Sequence, residues 1–443
     1  MESNHQGLPH EIIHHITGPL SRFLKIEALT GAMLLIGTVA ALILMNSPWS
    51  GVFQSFWEMP IGLTLGNLDF SRSLHHWIRD GLMTLFFFLV ALELKRELVL
   101  GELRNFRVAA LPLAGAIGGM LVPALLYLAI SHGRPEAQGW GVVMATDTAF
   151  VIGCLALLGS RVPTSLRLFL LSLAIFDDVG AILIVAFGYG SGLNWMALGL
   201  GVLGLAAVGG AARIGVRSVP VYSLIGVIIW LCFDASGIHT TVAGVILGLM
   251  TPVRGWVSDE RLRATFARIL SYPEGDHWSG DTQDRKELYE AATAAKETLS
   301  PVERIELRLH PWVGFLIMPL FAFANAGIVI APDALKDPAT IAVAIGLTIG
   351  KPLGVFSMSW LSVRSGIACS FPSLSWPLLA AGSLLTGIGF TMSLFIAELA
   401  FPASLLAPVK MGIMTASLVS MATGITTLIY LTKKNRVKKS NAY

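Results

Sequence analysis

The chain has 443 residues, 54% of them hydrophobic and 13% charged, with a mean hydropathy of +0.70. Soluble domains carry about 25% charged residues, so this composition excludes a soluble globular protein and indicates a polytopic membrane protein. The net charge of +3 marks no nucleic-acid partner, and Cys154, Cys232 and Cys369 lie in or beside apolar segments with neither metal nor disulfide spacing.

Residues 1–26 are polar to amphipathic, with His5, His10, His14 and His15 ahead of Arg22 and Lys25. A solvated interfacial segment is the plain reading of these histidines, and a pH-sensing or metal-binding role is the other. The segment does not read as a removable signal peptide. Twelve apolar runs long enough to cross a bilayer follow, near 27–46, 78–99, 107–131, 140–158, 166–188, 194–212, 219–234, 238–252, 312–331, 340–361, 376–399 and 407–431. The expected class is an all-α polytopic membrane protein: eight spans in 27–252, a charged loop over 253–309, four spans in 310–431 and a basic tail over 432–443. Several runs are interrupted by Gly and polar residues, which lipid tolerates only where protein or a cavity satisfies the freed backbone.

Lys and Arg concentrate in the N-terminal segment, the even-numbered loops and the tail, which places both termini in the cytoplasm. Between the first two spans, IGLTLGNLDFS alternates around Gly66-Asn67 and predicts a hairpin on the outer face. A dimer contact and an isolated loop strand both fit it. The second half of the 253–309 loop predicts an amphipathic helix, with Ser300-Pro301 as a break or N-cap.

The chemistry gathers around Asp177 and Asp178, adjacent in SLAIFDDVG inside an apolar run. One Asp mid-membrane costs about 2.5–3.5 kcal/mol on insertion scales, so two in succession call for a function. Helical neighbours point about 100° apart, so one acid can line a cavity while the other meets a partner. The partner to expect is Lys351, the cation deep in the run GLTIGKPLG. Two companions supply oxygens: Thr146-Asp147-Thr148, and Thr386, Thr391 and Ser393 in TGIGFTMS, where Gly387 and Gly389 permit unwinding. Each lies in the middle span of a three-span unit, spans three to five and ten to twelve. An offset of seven spans inverts one unit relative to the other and predicts an inverted repeat. Carboxylates, a Thr hydroxyl and unwound carbonyls suit a hard cation such as Na⁺ or Li⁺, and protons compete for the same oxygens. The plain alternative is a set of buried salt bridges.

A third cluster, Glu93, Lys95, Arg96 and Glu97 at the inner end of the second span, faces the same side as Glu306 and His310. It fits pH sensing through altered pairing and, equally, the snorkelling of charged side chains at a helix end. His239 reads as a packing histidine.

On the blocks LELKRE, ATDTAF, LALLGSRVP, LAIFDDVGAI, SGIHTTVAGVILG, HPWVGFLIMPLFAFANAG, IGKPLG and GIGFTMSLFIAELAF, the chain resembles the NhaA family of bacterial Na⁺/H⁺ antiporters. The resemblance implies twelve helices with crossed, discontinuous helices four and eleven. It also implies electrogenic exchange of two H⁺ inward for one Na⁺ or Li⁺ outward across the inner membrane, with no cofactor. By position, Asp178 would be the principal cation ligand with Asp147 and Thr146 assisting, and Asp177 would pair with Lys351. Asp178 would carry one proton, and Asp177 or Lys351 the second. Glu93, Arg96, Glu97, Glu306 and His310 would serve pH activation, Asp80 would be structural, and the hairpin would join a homodimer in the lipid. The longer 253–309 segment departs from the family pattern. A proton-coupled organic-anion carrier and an intramembrane aspartyl protease are the competing readings.

Overall fold

A computed structural model describes residues 27–440 except 66–67, 102–103, 105, 190–191, 217, 271–282, 331 and 370–373. The histidines at positions 5, 10, 14 and 15 and the Gly66-Asn67 turn lie outside the described residues. By internal contacts the chain divides into two units: Met1–Leu82, Arg107–Val185 and Pro311–Tyr443 form the first, Met83–Phe106 and Ala186–His310 the second.

The first unit begins with α1 (Glu27–Met45) and α2 (Ser50–Glu58), set at 116° to each other. Strands β1 (Pro60–Leu65) and β2 (Leu68–Ser73) pair antiparallel, Pro60 opposite Ser73 and Leu65 opposite Leu68, which is the expected hairpin. Ser73 then caps a single turn, Leu74–His76, by accepting from the His76 N–H, and a π-turn over Trp77–Leu82 leads into α3 (Met83–Val99) of the second unit. The α2 helix was not legible beforehand. Only Phe53 and Trp57 of its nine residues are buried, so it carries no long apolar run.

The first unit continues with α4 (Phe106–Ile130), a 3₁₀ segment (Pro135–Val143), α5 (Thr148–Leu158) and α6 (Thr164–Gly188). The second unit takes α7 (Trp195–Ile214), α8 (Val219–Ser236), α9 (Thr241–Met250), α10 (Asp259–Leu270), α11 (Gln283–Thr298) and most of α12 (Pro301–Trp312). A π-turn over Val313–Ile317 returns the chain to the first unit. There it forms α13 (Met318–Asn325), α14 (Pro338–Ile345), α15 (Lys351–Arg364), α16 (Trp376–Leu385), α17 (Phe390–Ala400) and α18 (Ala403–Ser440).

Among the described residues seven helices are single spans by length and composition, and three more crossings are bent pairs, including 135–143 with α5 at 44° and α16 with α17 at 49°. The remaining two of the twelve expected runs are 77–99, charged at its C-terminal end, and α9, whose ten residues reach about 15 Å, half a bilayer core. Of the three bent pairs, the two broken within an expected apolar run are the fourth and eleventh spans, where Thr146-Asp147-Thr148 and Gly387 with Gly389 lie.

Local chemistry explains the ends and breaks. Asn194 caps α7 by accepting from the Met196 and Ala197 N–H groups, and Gly215 and Gly237 close α7 and α8 with left-handed φ of 88° and 81°. Pro352 lacks the N–H that would bond the Thr348 carbonyl, and the chain widens into a π-turn over Gly346–Gly350 just before Lys351. In the second unit α7, α8 and α9 bury Val208, Ile229, Phe233 and Ala243 as a common core. There α3 and α9 approach so closely that a Cβ on Gly244 would lie 2.5 Å from the Thr84 carbonyl oxygen, a small-residue contact typical of helix packing in lipid.

Candidate functional site

The site of the first unit is built where the two broken spans meet. Residues 144–147 separate the 3₁₀ segment from α5, and 386–389 separate α16 from α17. Thr146 bonds across the gap to the Thr386 carbonyl at 3.2 Å, and the Asp147 N–H donates to the Ile388 carbonyl at 2.8 Å. The two breaks together leave two positive helix N-termini and two negative C-termini, and each calls for an opposite charge.

Asp147, fully buried, answers both N-termini. One carboxylate oxygen accepts from the Phe150 N–H at 3.0 Å and caps α5, and the other accepts from the Thr391 N–H at 3.0 Å and from its hydroxyl, in the first turn of α17. Lys351, also fully buried, answers a C-terminus by donating to the carbonyl of Met144, the residue that closes the 3₁₀ segment. The Ser393 hydroxyl adds a bond to the Val142 carbonyl at 2.7 Å. At Gly387, within the second break, a Cβ would stand 2.5 Å from the Leu347 carbonyl oxygen, so a larger residue would not fit.

The adjacent acids diverge as helical geometry requires. Asp177 Oδ2 lies 3.0 Å from Lys351 Nζ, with both side chains wholly buried, and accepts from Thr146 Oγ1 at 2.6 Å. Asp177 Oδ1 is buried with no hydrogen bond among the described residues. Asp178, 5% exposed, turns the other way and accepts from Thr148 Oγ1 at 3.4 Å. The arrangement sets two carboxylates side by side, one held by a buried ammonium and the other facing a hydroxyl, where oxygen ligands for a hard cation are concentrated.

The second unit holds the other predicted cluster. Arg96 bonds Glu97 at 2.9 Å and the nearly buried Glu306, and Glu93 lies one turn before Glu97 on α3. His310, one turn beyond Glu306, is exposed. Lys95 turns away to cap α9, donating to the Leu249 carbonyl and to that of Thr251 at 2.6 Å. His239 packs as expected, with Nε2 2.7 Å from the Tyr189 carbonyl. In the first unit Asp80 is 8% exposed and is held by Arg79 at 2.8 and 2.9 Å and by His76 at 3.1 Å.

Three features escaped the sequence reading. The clamp of Thr391 on Asp147 and the Met144 carbonyl beneath Lys351 depend on approaches across more than 200 residues. The third is Glu398, a lone acid in an apolar run that carries the same signal as Asp147; it pairs with Lys410 and His75, both of which also bond Asn325.

Residues 21–428 match the model of the family described as Na⁺/H⁺ antiporter 1. The chain belongs to this family. It is 59% identical to a Na⁺/H⁺ antiporter NhaA of Rhizobium meliloti (strain 1021) over 98% of this chain and 100% of that one. A Na⁺/H⁺ antiporter NhaA 2 of Acidiphilium cryptum is 58% identical over 97% of this chain and 95% of its own, and one of Vibrio vulnificus 48% over 98% and 97%. As a member of an antiporter family the chain is a multi-pass membrane transporter rather than an enzyme. The blocks on which the resemblance rests fall on the elements just described: LELKRE at the end of α3, ATDTAF across the first break, LAIFDDVGAI within α6, and GIGFTMSLFIAELAF from the second break through α17.

Proposed function

We propose that this protein exchanges Na⁺ or Li⁺ for H⁺, with the cation exported and protons returning down their gradient across a bacterial inner membrane. The observation that carries the reading is the second buried acid, Asp178, beside an Asp177 already held by Lys351 where two helices unwind. Its relatives' names agree with it. Asp178 is the principal cation ligand, with backbone carbonyls of the breaks and the Thr146 and Thr148 hydroxyls nearby. Asp147 holds the crossing by closing two helix N-termini and lends its charge to the field at the cation.

A cation on Asp178 excludes a proton from the same oxygens, so exposure of this one site to each side in turn couples the two fluxes. Asp177 and Lys351 form the gate: their pair closes the site when both are charged and loosens when a proton neutralises one member. Two protons for each cation, one on Asp178 and one on the pair, make the exchange electrogenic.

The bias of Lys and Arg places both termini and the 253–309 segment in the cytoplasm. Arg96, Glu97 and Glu306, with Glu93 and His310 adjacent, then lie at the cytoplasmic mouth and set the pH of activation. The β1–β2 hairpin contributes the contact of a homodimer within the lipid.

Everted membrane vesicles acidified inside test the exchange. Na⁺ and Li⁺ are expected to dissipate the pH gradient while K⁺ does not, and Asp178→Asn abolishes the response. An unchanged gradient with every cation between about pH 6.5 and 8.5, the range in which histidine networks titrate, rules the exchange out.

A further inference from the structure

The first unit holds a second buried ionic cluster, away from the crossing. Glu398 sits in the last turn of α17, its side chain 4% exposed, where the negative end of the helix opposes a carboxylate. Lys410 of α18 reaches it at 2.8 Å and also donates to the Asn325 carbonyl at the end of α13, at 2.9 Å. His75 places Nε2 3.5 Å from the other Glu398 oxygen and 2.8 Å from Asn325 Oδ1. The Asn325 amide nitrogen donates to the Phe321 carbonyl at 2.9 Å, so Oδ1 is the atom that faces the imidazole and Nε2 carries the hydrogen. Further protonation therefore goes to Nδ1 and sets a cation beside the buried acid. With its side chain 30% exposed against 12% for Lys410 and 4% for Glu398, His75 is the most exposed ionisable side chain of the cluster. Beside it in the chain, His76, Arg79 and Asp80 pair among themselves; Arg72 of β2, three residues earlier, and Glu58, next to the Met59 whose carbonyl accepts from the Leu74 N–H, are exposed.

We propose that Glu398 is a positioning residue for the interrupted span, anchoring the outer end of α17, and that His75 makes this hold depend on pH at the outer face. The functional consequence rests on the exchange and orientation proposed above. Thr391, which clamps Asp147, lies on the same short helix seven residues earlier, about 10 Å along its axis. When acid charges His75, Glu398 is gripped by cations from two other elements and α17 is held against α13 and α18. When the ring is neutral, Lys410 holds it alone and the rod that carries Thr391 is looser.

Two fixed-charge variants of the full-length protein test this, His75→Lys (with His75→Arg as substitute should Lys not assemble) and His75→Gln. Hydrogen exchange of the α17 amides, compared at one pH, is expected to be at least about threefold slower in the charged variant, and Glu398→Gln is expected to erase that difference. In right-side-out vesicles with the interior pH fixed, wild-type Na⁺ flux should follow the charged variant at the acid end of an outer-pH series and His75→Gln at its alkaline end. Equal exchange in the two variants, or a wild type that parallels one of them at every outer pH, overturns the proposal. Because the amide comparison needs no transport, a protein without Na⁺-driven flux would sink the exchange reading and still leave the anchor decided.

Discussion

Lys351 does two jobs with one charge: it offsets the Asp177 carboxylate and closes the carbonyl end of a broken helix. Removing one member of a buried pair strands the other, at a cost of about 3–5 kcal/mol. Lys351→Ala should therefore lower the melting temperature strongly, and adding Asp177→Asn should recover more than half of the loss, since it removes the stranded anion. Equal melting of the single and double variants would mean that the Met144 carbonyl, rather than Asp177, carries the cost. At Asp147 the Thr391 hydroxyl is one of three donors to a charged acceptor. Thr391→Val keeps the shape and the backbone bond, so its cost should stay at about 1.5–3 kcal/mol, read from thermal or denaturant unfolding. The adjacent acids and the deep lysine were legible in the sequence because an ionised group in an apolar run demands a partner. The Thr391 clamp was not, because a hydroxyl mid-helix ordinarily bonds back to its own helix and carries no such demand.

At the scale of elements, small residues decide how near the helices come. A Cβ on Gly354 of α15 would lie 2.1 Å from the Gly118 carbonyl oxygen of α4, and one on Gly118 would lie 2.2 Å from that of Gly354. Gly354→Ala should cost about 1–3 kcal/mol by overpacking and should also disturb Lys351, one turn earlier, so transport is expected to fall more than expression. Wild-type flux in well-expressed Gly354→Ala protein would show that α15 can shift without moving the site. In the second unit, Ser300 and Glu303 form a reciprocal capping box at the start of α12: the Ser300 N–H donates to Glu303 at 3.0 Å, and the Glu303 N–H donates to the Ser300 hydroxyl at 3.3 Å. Ser300→Ala should cost about 0.5–2 kcal/mol, seen as faster amide exchange in the first turn of α12. Hydrophobic runs, glycine-marked breaks and the hairpin alternation made most elements readable. The bend that sends α2 off at 116° was hidden, because nine amphipathic residues after a span look like an ordinary connection.

For the whole molecule, the first unit contains a fixed electrostatic frame and the second a cluster of ion pairs at the end of α3. Long-range order of this kind is the part least available to sequence reasoning. His75 and Asn325 meet across 250 residues and Asp147 and Thr391 across 244, and only the fold brings these partners together. What the sequence did carry was the inventory: each buried charge in the frame is a visible breach of an apolar run. The central claim is that one site around Asp178 binds either a cation or protons. Its most direct measurement is the number of protons released when Na⁺ is added to purified protein in weak buffer near pH 8, with K⁺ as control. Release is expected with Na⁺ and Li⁺, none with K⁺, and none in Asp178→Asn. Na⁺ binding without proton release, or release that persists in Asp178→Asn, would contradict it.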